Sequence, residues 1–240
     1  MAEPRLLVAF DFDGTLAPIV RRPEAARLAA ATRAALGALA ARADVRVAVV
    51  SGRALGDLRA KVGLERLTYA GNHGLELSAG TWHWTHPGLR ARRRPLRRAA
   101  EAAQALCLLA PGAWVEDKGA TFSVHVRAVK DLRVEARLRS GLAAAVRRAG
   151  GLAVRPGKRV YEVRPWLAWD KGRAVELLRR RLAPGAACVY VGDDATDEDV
   201  FRRFQGRGLT VKVGPGRTVA ACRVAGPAAV RRLLGRLLLA

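Results

Sequence analysis

Short apolar runs that stop at polar, glycine-bearing loops recur along the chain and set the reading of its fold. Residues 6–10 are apolar throughout, the style of a strand buried on both faces of a parallel sheet, and Asp11-Phe12-Asp13-Gly14-Thr15 follows at its end. Residues 23–41, rich in Ala, Leu and Arg with a proline at the start, predict a helix returning along the sheet. A second buried strand at 45–50 runs into Ser51-Gly52-Arg53, and in residues 68–74 Tyr69-Ala70 leads into Gly71-Asn72-His73-Gly74. Residues 75–84 alternate about Ala79-Gly80, which predicts an edge hairpin.

The pattern then changes. Residues 85–94 bear proline and many charges and read as a crossing. A helix at 96–109, a hairpin of 113–118 and 121–127 about Gly119, a helix at 131–149 and a hairpin of 152–154 and 160–163 about Gly157 make an antiparallel α+β unit. The first pattern resumes with a helix opened by Asp170-Lys171-Gly172 and reaching Leu182, a buried strand at 187–191, and Gly192-Asp193-Asp194-Ala195-Thr196-Asp197-Glu198-Asp199. A short helix, a strand at 209–213, the Gly-Pro-Gly loop at 214–216 and a helix from Pro227 follow. The predicted class is α/β: a doubly wound, Rossmann-type parallel-sheet core in two parts, 1–84 and 165–240, with an inserted α+β domain at 85–164.

At 240 residues, half of them hydrophobic, the chain has enough apolar material for a real core plus a smaller insert. A net charge of +22 attracts polyanions in general. The basic residues are mostly Arg, spread along helices with Ala and Leu, and no aromatics interleave the densest run, 90–98, as a single-strand stacking platform requires. Nucleic acid is therefore disfavoured as the main partner, and help in attracting an anionic substrate is preferred. Cys107, Cys188 and Cys222 are widely separated in apolar contexts and read as buried free thiols, with no zinc spacing. With no signal-peptide pattern and no apolar run near the ~18 residues of a membrane span, the expectation is a cytoplasmic monomer.

The candidate chemistry lies where strands end. Asp11 and Asp13 sit close to an apolar strand, where repulsion and lost hydration raise carboxylate pKa values unless a cation or strong donors compensate. A helix cap is the bland alternative for a bare Asp-x-Asp. Five carboxylates fall within residues 193–199 of a chain with only 21. Asp197, Glu198 and Asp199 suit the first turn of a helix by its dipole, but Asp193 and Asp194 precede it, and with Asp11 and Asp13 they form an oxygen-rich set suited to Mg²⁺. Only six of 43 basic residues are Lys, so Lys171, at a helix start where the dipole disfavours cations, stands out as a compact ammonium. Ser51 alone reads as a helix cap sooner than as a ligand.

Taken together, Asp11-x-Asp13-Gly14-Thr15, Ser51, Lys171 and Gly192-Asp193-Asp194 with Asp197 resemble the four signatures of the haloacid dehalogenase (HAD) superfamily of phosphotransferases. The strings at 11–20, 51–53, 71–74, 116–119, 123–127, 162–165, 169–172 and 192–199 resemble, more closely, the trehalose-6-phosphate phosphatase family. That resemblance implies a HAD-like core with a cap domain and a Mg²⁺-dependent phosphatase of trehalose biosynthesis, acting on a sugar phosphate through an aspartyl-phosphate. Asp11 is the implied nucleophile and Asp13 the acid and base. The implied metal ligands are Asp11, the Asp13 carbonyl and Asp193, with Ser51, Lys171 and amides near Thr15 holding phosphate oxygens. Asp194 and Asp197 would orient metal-bound waters or Lys171.

On the predicted hairpins Glu116 and Lys118 share a face that Val115 does not, and Glu162 opposes Tyr161 and Val163. The resemblance implies that Glu116, Lys118 and Glu162 bind the distal glucose; a solvated sheet face is the alternative. Arg53, Asn72, His73 and Arg127 are further substrate-binding candidates, whereas Trp166 and Trp169 suit core or hinge packing better than sugar stacking. Another sugar phosphatase, for sucrose or mannosylglycerate phosphate, and a nucleic-acid-associated protein on an inactive core are the alternatives.

Overall fold

The computed structural model describes residues 5–20 and 22–239. The chain forms two compact units, Met1–Trp84 with Trp169–Ala240, and Thr85–Ala168. The first stretch contributes β1 (Leu6–Phe10), α1 (Ala30–Ala41), β2 (Val45–Val50), α2 (Leu55–Val62), β3 (Thr68–Gly71), β4 (Glu76–Ala79) and β5 (Trp82–Thr85). The inserted stretch is α3 (Leu89–Leu108), β6 (Trp114–Asp117), β7 (Phe122–His125), α4 (Leu132–Ala149), β8 (Leu152–Gly157) and β9 (Val160–Pro165). The chain then adds α5 (Lys171–Leu182), β10 (Ala187–Gly192), α6 (Glu198–Phe204), β11 (Leu209–Val213), β12 (Cys222–Val224) and α7 (Pro227–Leu239).

The first unit is built on an eight-stranded sheet in the order β12-β11-β10-β1-β2-β3-β4-β5, parallel from β12 to β3 and antiparallel where β3 meets β4. Its central strand β1 is level with both neighbours, Phe10 facing Val191 on one side and Val49 on the other. The loops after these three strands therefore emerge together at one edge of the sheet. Side chains alternate between two cores: Val8, Phe10, Val47 and Val191 meet Leu36, Leu39, Leu58 and Leu234 on one face, and Leu7, Ala9, Val50 and Tyr190 meet Val175, Leu178, Phe201 and Phe204 on the other. Helices cover both faces, as a doubly wound sheet requires.

The inserted unit is a four-stranded antiparallel sheet, β6-β7-β9-β8, with Phe122, Val124 and Val163 packed against Leu96, Leu138 and Leu142 of its two helices. The chain returns to the first unit between Ala168 and Trp169, shortly after β9 ends at Pro165. Among the described residues no helix is long and apolar enough to cross a membrane.

Three local expectations change. The helix read over 23–41 begins only at Ala30, after a 3-10 turn at Pro23–Ala25. The carbonyls of Pro23, Glu24 and Ala26 accept from the side chains of Arg53, Arg27 and Lys61, which holds the main chain there outside a helix. In the insert, α3 starts at Leu89 and contains Pro95, although an interior proline costs about 3 kcal/mol. Leu89, Leu96, Ala99 and Ala103 are all buried, and their burial offsets that cost. The edge strand β12 was not evident in the sequence because it is short and two of its three residues are exposed. Cys188 is buried, its thiol pushed up to about 12 by that burial, but Cys107 is half-buried and Cys222 exposed, so the reading of three buried thiols holds for Cys188 alone.

Candidate active site

The sheet edge fixes the site. Asp11 follows β1 directly, its amide donating to the Val191 carbonyl at 2.9 Å, and its side chain is buried. Lys171, the first residue of α5, reaches it: Nζ donates to Asp11 Oδ1 at 2.6 Å and to Asp197 Oδ1 at 2.8 Å, with all three residues buried. Asp170 starts that helix by accepting from the Arg173 amide at 2.7 Å, which sets where Lys171 begins its reach. Asp197 also accepts from the Tyr190 hydroxyl at 2.7 Å and, on Oδ2, from the Asp194 amide at 2.8 Å. Tyr190 was not among the sequence candidates; as an inward side chain of a buried strand it carried no signal beyond its hydroxyl.

Asp193 follows β10. Its Oδ1 accepts from the Thr15 hydroxyl at 3.0 Å and its carbonyl accepts from Lys212 Nζ. The Thr15 hydroxyl is thus given to Asp193. Lys212 is another of the rare lysines of this arginine-rich chain, the same signal that singled out Lys171. Asp194 is exposed, and its carboxylate caps the Ala195 amide at 2.6 Å. It therefore reaches the buried cluster through its main chain, not through the carboxylate the sequence reading invoked.

Burial pushes Asp11 well above the ordinary carboxylate range, with Asp197 and Asp193 adding repulsion that Lys171 only partly offsets. Burial, then Asp197, raises Asp193 to about 6, against the Thr15 hydrogen bond. Burial works against the Lys171 ammonium, but Asp11 and Asp197 hold it charged above its usual range. Carboxylate oxygens of Asp11, Asp193 and Asp197 lie within 4.8 Å of one another. With three acids facing one lysine, and oxygen the only donor, the set fits a hard divalent cation such as Mg²⁺. Lys171, Tyr190 and the Asp194 amide already engage both oxygens of Asp197, so Asp11 and Asp193 are the side chains able to hold an ion. Gly14 makes room for them: its φ is +86°, and a Cβ there would fall 2.2 Å from Asp193 Oδ2.

A stability effect follows from Asp193. Its folded-state value of about 6 exceeds the unfolded 3.8, so the stability tied to its protonation is complete below about pH 4 and lost as pH rises through 6. The loss amounts to at most about 3 kcal/mol at 1.36 kcal/mol per unit. Urea unfolding of the cation-free protein at pH 5 and pH 7.5 checks it: Asp193→Asn should show the smaller fall, and equal falls in both proteins would contradict the assignment.

Asp13 is placed differently from Asp11. Its carboxylate takes a two-pronged ion pair from Arg53, Nε to Oδ2 and Nη2 to Oδ1, both at 2.7 Å. Arg53, read from the sequence as a substrate ligand, spends four N–H donors inside the protein, on Asp13, on Asp57 Oδ2 at 2.8 Å and on the Pro23 carbonyl at 2.9 Å. Ser51 is buried and its Oγ accepts from the Arg53 amide at 3.2 Å, which leaves its proton for an acceptor such as phosphate. Asn72 and His73 both have positive φ, 49° and 57°, in a loop held by Asn72 N on the Arg53 carbonyl and His73 N on the Ser51 carbonyl. The Asn72 amide donates to Glu76 at 2.6 Å, and His73 packs over Gly52. These two residues brace the Ser51 loop. Trp169 packs against Trp84, the rings tilted by 34° with centroids 5.1 Å apart, and donates to the Gly74 carbonyl, in keeping with a packing role, while Trp166 is exposed.

In the inserted unit, Glu116, Ser123, Glu162 and Arg155 form one cross-strand row on the face away from the helices. Lys118 Nζ lies 3.7 Å from Glu162 and 3.9 Å from Glu116, and Arg164 pairs with Glu162. His125, missed in the sequence, sits 2.8 Å from Glu116 and stacks on Trp114 with ring centroids 4.1 Å apart. Strand alternation through Ser123 would have found it. Arg127 is exposed in the turn after β7 and does not join this cluster.

A buried aspartate at the end of the central strand, pinned by lysine and flanked by a second acid from the neighbouring strand, sits on a doubly wound sheet with an α+β insert. The fold is HAD-like: the crystal structure of a haloacid dehalogenase-like hydrolase from Bacteroides thetaiotaomicron superposes with a TM-score of 0.67 at 14% identity, over 96% of this chain. The trehalose-phosphatase family model matches residues 9–229, and the chain belongs to that family. It is 40% identical to the trehalose-phosphate phosphatase of Mycobacterium marinum, over 98% of this chain and 62% of that protein. It is 43% identical to an uncharacterized glycosyl hydrolase of Mycobacterium tuberculosis, over 97% of this chain but 18% of the relative. The chain thus spans less than two thirds of the length of these curated relatives. The crystal structure of a trehalose-6-phosphate phosphatase related protein superposes with a TM-score of 0.86 at 25% identity, covering 97% of each chain.

Proposed function

We propose that the protein is a Mg²⁺-dependent phosphatase that converts trehalose 6-phosphate to trehalose and phosphate. The observation that carries the reaction type is the buried Asp11 held by Lys171 beside Asp193 at the sheet edge. A carboxylate oxygen of Asp11 attacks phosphorus, the bond from phosphorus to the sugar oxygen breaks, and an aspartyl-phosphate forms. Asp13, turned out of its pair with Arg53, gives its proton to the departing sugar oxygen. It then takes a proton from water as that water attacks phosphorus and frees Asp11. Ser51 and Lys171 hold the other phosphate oxygens. Asp11, Asp193 and the Asp13 carbonyl are the groups proposed to hold Mg²⁺, which supplies charge neutralisation of the transferring phosphoryl group.

Family membership and the polar sheet face support trehalose as the sugar. Glu116, Lys118 and Glu162 are proposed to bind the distal glucose, the inserted unit acting as a cap, and the setting proposed for the reaction is the cytoplasm. Glu162→Ala should lower kcat/KM for trehalose 6-phosphate by about 10²-fold, the scale of a lost buried polar contact to substrate, while an aryl phosphate loses far less. Steady-state kinetics on both substrates decide it, and equal losses would contradict the role of the insert. Another sugar phosphatase is the second reading, favoured if a panel of sugar phosphates ranks a different disaccharide above trehalose 6-phosphate.

A further inference from the structure

Resting on the phosphatase reading, we propose that Arg53 is the positioning residue of the proton-transfer group, and that Asp57 and the Pro23 carbonyl form its mount. Asp13 lies at the end of β1 and Arg53 in the loop after β2, neighbouring strands whose ends emerge together. Arg53 is 7% exposed, and its guanidinium sits 5.3 Å from the centre of the Phe12 ring. Its edge toward Asp13 presents Nε and Nη2 as a fork that matches both carboxylate oxygens at 2.7 Å. Nη1 is tied to Asp57 at 2.8 Å and the remaining Nη2 proton to the Pro23 carbonyl at 2.9 Å. The Arg53 main chain is tied as well, its amide to Ser51 Oγ and its carbonyl to the Asn72 amide. Arg53 is therefore fixed on every side, whereas the Asp13 side chain is 38% exposed.

A fixed planar fork paired with a more exposed carboxylate sets the carboxylate's plane and the direction from which it departs and returns. A proton donor or acceptor acts efficiently only when held within hydrogen-bond reach and correctly aimed. Lys reproduces this only in part, since an ammonium supplies the charge but not the plane. The inference makes Arg53 matter in proportion to how much the leaving group needs a proton. It separates this role from direct substrate binding, which would raise KM for every phosphate ester.

The test compares the wild type's best alkyl phosphate substrate, which leaves as an alkoxide unless protonated, with 4-nitrophenyl phosphate, whose leaving group needs little help. For Arg53→Met, kcat on the alkyl ester should fall on the order of 10²-fold, the scale of general acid–base assistance. On the aryl ester it should fall less than about tenfold, with KM little changed. Arg53→Lys should recover part of the alkyl activity. Asp57→Asn, which alters the mount without emptying the site, should shift the same ratio in the same direction by several-fold; it keeps the inference testable if Arg53→Met misfolds on thermal melting. Equal kcat losses on both esters, a matched rise in KM on both, or an unmoved ratio in a folded Asp57→Asn protein would overturn the positioning role and leave the phosphatase reading standing. A wild-type protein that hydrolyses neither ester would overturn both.

Discussion

Asp11→Asn should lower phosphate release by about 10⁴-fold or more, the scale seen when a covalent nucleophile is removed, with the fold intact. The substitution keeps shape and volume at a 4% exposed position, and an amide oxygen can still accept from Lys171. What disappears is the charged oxygen that attacks phosphorus. Stability should move the other way. Burial and the neighbouring acids hold Asp11 well above the usual carboxylate range, so the neutral side chain removes a charge the folded state accommodates at a cost. A phosphate-release assay paired with thermal melting reads both effects. Activity above a tenth of wild type in a folded variant would remove Asp11 from the nucleophile's role.

Lys171→Met should be the most damaging single change to stability, at about 3–5 kcal/mol, because it removes the cation from a buried network and leaves its acids unpaired. The ammonium is 2% exposed and bonded to Asp11 and Asp197, and the Tyr190 hydroxyl adds a third bond to that network. Methionine fills much of the same space, so lost volume is not the cause. The penalty is electrostatic, and adding Asp197→Asn to Lys171→Met should recover part of it. Activity should fall with stability, since the variant loses both the clamp on Asp11 and a partner for phosphate oxygens. Denaturant unfolding of the three proteins decides it; a loss below 1 kcal/mol in Lys171→Met, or no recovery in the double variant, would contradict the electrostatic account.

The parallel strands other than β12 were legible because each is an apolar run with a polar, glycine-bearing end, and the loops that matter follow those ends. Asp11, Ser51 and Asp193 could be placed on one sheet edge for that reason, and Lys171 stood out by being lysine in an arginine-rich chain. Side-chain partnerships were not legible. Nothing local to Arg53 says that it forks onto Asp13, 40 residues earlier, because that contact depends on β1 and β2 being adjacent and in register. The start of α1 was hidden for a related reason: its candidate first turn gives its carbonyls to side chains, Arg53 among them, from beyond the helix. The extent of α3 was hidden by Pro95, a residue that ends helices unless the burial of Leu89 and Leu96 outweighs it. In the insert, the polar row through Glu116 and Glu162 followed from strand alternation, whereas Arg127 lies past the end of β7, where alternation no longer applies.

Phosphate release from trehalose 6-phosphate, measured against a panel of sugar phosphates with added Mg²⁺ and again with a chelator, tests the central claim most directly. The account predicts that trehalose 6-phosphate is the preferred substrate, that turnover vanishes with the chelator and returns with Mg²⁺, and that Asp11→Asn is inactive throughout. Turnover that persists unchanged in the chelator, or in Asp11→Asn, would contradict a carboxylate nucleophile working beside a divalent ion at this sheet edge.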